Sequence, residues 1–178
     1  MKQSTLSKEK LQNLLLYIAN ALPERQNMYK VLKVIYFADK DHLFNYGRFV
    51  SGDDHVALQH GPVPSKAYNM VKNVKLLHSL SDDGADGAAF TVKSDNTILP
   101  LAKSDLSLFS KSDLECLDKE IDICRPMSFQ QLKIRSHDAA YKAAGENDFI
   151  PIESIASLEP SGNANALLDY LKTHDVHC

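Results

Sequence analysis

Long apolar runs are missing from this sequence of 178 residues. No stretch approaches the roughly 20 consecutive apolar residues that span a bilayer, so we exclude a transmembrane protein. The first lysines, followed by Leu14, Leu15 and Leu16, superficially resemble a signal peptide. Polar residues interrupt that run and no small-residue cleavage site follows, so we expect no signal peptide.

Cysteine is scarce, and its spacing is uninformative for metal or disulfide chemistry. The three residues, Cys116, Cys124 and Cys178, include no C-x-x-C pair. This usage predicts a reduced, cytoplasmic protein.

Common enzyme signatures are also missing. The sequence contains no G-x-S-x-G elbow, no P-loop, no G-x-G-x-x-G turn and no H-E-x-x-H helix. His137 precedes Asp138 and is a candidate acid–base group, but such neighbours are more typical of a hydrogen-bonded surface pair. We therefore predict a protein that is not an enzyme and holds no cofactor or metal.

Charge is mild overall and uneven along the chain. The formal net charge is −3, with +5 in residues 1–80 and −8 in residues 81–178. Mild acidity argues against a general nucleic-acid coat. The first two predicted helices superficially resemble a helix-turn-helix, but the second is too apolar and too poor in base-reading side chains to be a recognition helix, so nucleic acid is an unlikely partner.

Hydrophobic periodicity and turn residues predict a predominantly helical α+β domain. About six helices are expected, at residues 7–22, 27–46, 65–80, 112–124, 128–144 and 163–173, with a further helical turn near Ser154. Two small β-hairpin elements are expected, one in residues 48–64 closed by a Gly61-Pro62 turn and one around residues 90–99. The chain is long enough for one domain, 1–178, with a core at about 8–155 and a C-terminal helical extension at 156–178.

The second predicted helix is apolar around most of its circumference and should be the central one. Asp39 and His42 continue its apolar stripe, so each needs a partner if buried. We expect Asp39 to accept hydrogen bonds from backbone N–H groups or a tyrosine hydroxyl in residues 48–64, as a polar latch. Two alternatives stay open: a protein-binding groove, and a catalytic or metal pair joined by His55 or His60.

Three segments resemble a known family. They are K-V-I-Y-F-A-D-K-D-H at 33–42, G-R-F-V-S-G-D-D at 47–54, and A-L-Q-H-G-P-V-P at 57–64. They are similar to the Panacea domain, also called the SocA-like antitoxin domain, and the match extends over about residues 8–155. The matching positions are Lys33, Tyr36, Asp39, His42, Gly47, Gly52, Gly61, Pro62 and Val63, and the segment around His137 is similar to a later family segment, with Tyr141 where tryptophan is common.

The resemblance implies function by binding. Panacea proteins are bacterial and phage antitoxins that neutralise toxins encoded beside them by direct contact, with a place in phage defence. The SocA branch instead delivers its toxin to a ClpXP protease. The expected partner is thus a cognate toxin, with a protease and a homo-oligomer left open. The family motif residues are read as scaffold or groove, the toxin-contacting residues are unknown, and the runner-up function is a metal-dependent enzyme using Asp39 and His42.

Overall fold

The two helices at the start of the chain form where their caps predict them. In the computed structural model, which describes residues 7–23, 27–80 and 88–174, the side chain of Ser7 caps α1 (Lys8–Ala21). The side chain of Asn27 caps α2 (Met28–Tyr46), and Gly47 ends it in the left-handed conformation at φ 71°.

The described residues form eight α-helices and two antiparallel sheets. The remaining elements are β1 (His55–Leu58), β2 (Gly61–Pro64), α3 (Ser65–Leu80), β3 (Phe90–Val92), β4 (Ile98–Pro100), α4 (Lys111–Cys124), α5 (Phe129–Ser136), α6 (Ala139–Ala143), β5 (Phe149–Ile150), α7 (Ile152–Ala156) and α8 (Ala164–Thr173). The helix-dominated α+β fold is confirmed. No helix in the ranges described is long and apolar enough to cross a membrane.

Helix α2 is the centre of the structure, as its sequence predicts. It packs against α1, α3, α4, α5, α7 and β2. Its buried side chains include four polar ones, those of Lys33, Tyr36, Asp39 and His42. The hydrophobic core also includes Leu167 and Leu171 of α8, so the last helix belongs to the same core.

The first hairpin differs from its prediction. The strand order is β2-β1-β5, and β1 pairs with β2 so that Leu58 faces Gly61. The turn is therefore Gln59-His60, and Gly61-Pro62 lies inside a strand. Ser65 N–H donates to Asp54 O. In an antiparallel pair of strands, hydrogen-bonded and non-hydrogen-bonded residue pairs alternate. Pro62 and Pro64 occupy non-hydrogen-bonded pairs, so their nitrogens point away from β1. Their missing N–H groups therefore remove no hydrogen bond between the two strands.

The predicted helix at 128–144 is wrong as a single element, because it breaks at His137-Asp138. Ser128 and Gln131 form the expected capping box of α5, but Asp138 is extended and its side chain accepts from Tyr141 N–H at 3.1 Å to cap α6. An aspartate side chain can accept hydrogen bonds from the free N–H groups at the start of a helix. A new helix therefore begins after Asp138, and the first helix ends before it. This break raises the helix number above the predicted six, and the helical turn expected near Ser154 is confirmed as α7.

Two other helix starts shift. Helix α4 begins at Lys111 rather than Ser112, because Ser110 and Asp113 form a capping box. The predicted cap of α3, Ser65, is already its first residue.

The predicted hairpin at 90–99 forms as β3 and β4. The predicted loop at 81–88 and Cys178 lie wholly or mostly outside the described residues.

Candidate functional site

Asp39 is the centre of the predicted latch. Its Oδ1 accepts from Ser51 N–H at 2.8 Å, and its Oδ2 accepts from Ser51 Oγ at 2.6 Å. His55 Nε2 lies 2.9 Å from the same Oδ2. The expected backbone donor is confirmed, and a serine hydroxyl and a histidine take the place of the tyrosine. The carboxylate thus fixes residues 51–55 to α2.

His55 is buried on all sides but lacks a full set of partners. Its ring meets Tyr36 and Phe49 edge-on, with centroids 5.1 Å away in both cases. Because Nε2 faces a carboxylate oxygen that can only accept, Nε2 is the ring nitrogen that donates to Asp39. The other ring nitrogen, Nδ1, is buried without a hydrogen bond among the described residues.

Asp53 extends the same latch to the next helix. Its Oδ2 accepts from Lys66 N–H at 2.8 Å and from Ala67 N–H at 2.9 Å, at the start of α3. Burial raises the pKa of Asp53, and the two backbone donors oppose that rise. Sequence reasoning assigned this cap to Ser65 and missed Asp53, because Asp53 lies 12 residues before Ser65, the first residue of the helix.

His42 belongs to a different network. Its Nδ1 lies 2.9 Å from Arg48 O and its Nε2 lies 3.0 Å from Ser112 Oγ and 3.2 Å from Asp113 Oδ1. Burial is the main cause that lowers the pKa of His42. Both ring nitrogens are therefore engaged, on the side of α2 that faces α4.

Asp113 is a buried carboxylate that lies close to two cations. Arg48 Nη2 lies 2.8 Å from its Oδ1, and Lys10 Nζ lies 3.5 Å from its Oδ2. Burial acts to raise the pKa of Asp113, but Ser110 N–H, Lys10 and Arg48 outweigh it, and the pKa is lowered. This carboxylate joins α1, α2 and α4.

The four candidate metal ligands do not converge. Asp39 pairs with His55, His42 has its own partners, and the exposed His60 lies against Tyr29 and Phe129. Within the described ranges, no group of three or more histidine, cysteine, aspartate or glutamate residues could hold a metal ion.

Lys33 is fully buried and holds β2. Its Nζ donates to Pro62 O at 2.7 Å and lies 5.2 Å from the centre of the Tyr29 ring. Burial lowers the pKa of Lys33 to about 7, against the attraction of Asp138. Pro62 thus contributes its outward carbonyl to the motif.

Tyr36 and Lys40 fix the break between α5 and α6. Tyr36 Oη donates to Asp138 Oδ2 at 2.8 Å, and Lys40 Nζ lies 2.6 Å from the same oxygen. Burial is the largest cause that raises the pKa of Tyr36. Because Asp138 is used in this way, it does not form the expected surface pair with His137, whose ring instead packs on Tyr141 at 4.2 Å.

Position 61 requires a glycine because neighbouring side chains lie close to its Cα. Its φ is +103°, and a Cβ there would lie 2.6 Å from Lys33 Nζ and 2.7 Å from Ser136 Oγ. His137 Cδ2 would be 3.1 Å away. The glycine therefore lets the hairpin, α2 and the end of α5 meet at one point.

The four polar motif residues of α2, Lys33, Tyr36, Asp39 and His42, are thus parts of buried networks of contacts. Their chemistry is hydrogen bonding and ion pairing that connects α2 to both its neighbouring loop and α4–α6. A family model described as "Antitoxin SocA-like, Panacea domain" matches residues 31–142, which run from α2 into α6. Searches of curated proteins and of solved structures gave no match.

Proposed function

The chain belongs to the SocA-like antitoxin, Panacea domain family, and we propose that it neutralises a cognate bacterial or phage toxin by direct protein–protein binding. The family match over residues 31–142 is the observation that carries the proposal. The expected setting is a toxin–antitoxin pair in the cytoplasm, including one used in phage defence. We also propose one domain over 1–178, with its core at about 8–155 and a helical extension at 156–178.

The chemistry of the motif supports binding over catalysis. Lys33, Tyr36, Asp39 and His42 are fully buried and engaged by neighbouring elements. Such groups fix one conformation of the scaffold, and a rigid surface loses less conformational entropy when a partner binds. We therefore assign these four residues, with Gly47, Gly61, Pro62 and His137, to the scaffold beneath the binding surface.

The surface itself offers apolar anchors. Large hydrophobic side chains are exposed on several elements, among them Leu76, Leu106, Phe129, Ile134, Phe149 and Tyr170. Aromatic and aliphatic side chains of this kind supply the buried centre of protein interfaces. A stable complex with a toxin buries on the order of 1,600 Å² in total.

Co-expression with the product of the adjacent gene tests the proposal. We expect that gene alone to arrest growth, this chain to restore growth, and the two purified proteins to elute as one complex. Restored growth without a complex, at a toxin level that does not change, contradicts direct binding.

A proteolytic adaptor is the alternative that the family admits. The half-life of the toxin in cells, measured with and without this chain, separates the two modes. A half-life that is unchanged while growth is restored supports sequestration, whereas faster loss of the toxin supports delivery to a protease. Light scattering of the purified chain determines whether it acts as a homo-oligomer.

A further inference from the structure

We draw no further inference here: the strongest candidate, the largely apolar cavity of about 360 Å³ between the start of α2, the turn that joins β1 to β2 and the first turn of α3, is an unpartnered face, and nothing in the structure shows what covers it.

Discussion

His55 Nε2 lies 2.9 Å from Asp39 Oδ2, and both side chains are fully buried. This contact joins the first strand to the central helix across 16 positions of sequence. It explains why a carboxylate occurs on an otherwise apolar stripe, because the loop supplies donors that satisfy it. The second ring nitrogen of His55 has no hydrogen-bond partner in the part of the chain that the structure describes.

Asp39→Ala should lower the free energy of unfolding by about 3–5 kcal/mol, since it leaves Ser51 N–H, Ser51 Oγ and His55 without their acceptor. Urea unfolding measures the change. Asp169→Ala, at an exposed position, should stay within about 0.5 kcal/mol of wild type. Equal urea midpoints for Asp39→Ala and wild type would falsify the latch.

Lys33→Met should change how stability depends on pH. The pKa of Lys33 is lowered to about 7 from 10.5, so the unfolded chain binds more protons than the folded one between these values. Stability of wild type therefore rises with pH there. From pH 7 to pH 9 wild type should gain about 2 kcal/mol relative to Lys33→Met.

Urea unfolding at the two pH values checks this difference. The exposed Lys103→Met is the control, and it should keep the wild-type dependence on pH. Parallel curves for wild type and Lys33→Met would mean that the buried amine keeps an ordinary pKa.

Gly61→Ala should destabilise the fold more than Gly52→Ala. Both positions have positive φ, which costs an alanine about 1–2 kcal/mol. At Gly61 the added methyl also meets Lys33 Nζ and Ser136 Oγ, whereas at Gly52 no atom of the described residues lies within 4 Å of it. The clash adds about 1–3 kcal/mol. Thermal melts of the two variants give the comparison, and equal melting temperatures contradict the close approach.

Asp113→Asn should destabilise the protein by about 2–3 kcal/mol at pH 7, because Arg48 and Lys10 lose their charged partner and Ser110 N–H loses a charged acceptor. The pKa of Asp113 is lowered, so its contribution is full above the ordinary value of 3.8 and is lost as pH falls through the lowered one. The gap between wild type and variant should shrink toward pH 3. A gap in urea midpoint that is the same at pH 7 and pH 3 argues against this charge network; Glu115→Gln is the control.

The sequence was most informative where structure is local. Asn27 and Gly47 predict both ends of α2 correctly because caps act within a turn of the helix. Asp138 shows the limit. An aspartate inside an apolar periodic stretch is compatible with a continuous helix, and the decisive contacts come from Tyr36 and Lys40, about 100 positions earlier.

The sequence identified several residues of the candidate site, but it did not show which of them contact each other. Helical spacing places Asp39 and His42 near each other, but it does not say that they face different neighbours. His55 was visible only as one of several histidines, because its role depends on a contact that loop closure creates. Asp113 lies 71 positions after His42. The sequence around it indicates only a helix cap and gives no indication of its contact with His42.

The edge of β2 has a consequence for how this chain behaves at high abundance. Pro62 and Pro64 place no N–H on the side away from β1, and the Pro62 carbonyl is already bound by Lys33. A strand from a second copy would find no backbone N–H donor at Pro62 or Pro64, and the Pro62 carbonyl would already be bonded. Two copies therefore cannot pair through this strand. β2 is also buried along its whole length, so assembly of copies into fibres through this strand is blocked even where the protein is abundant.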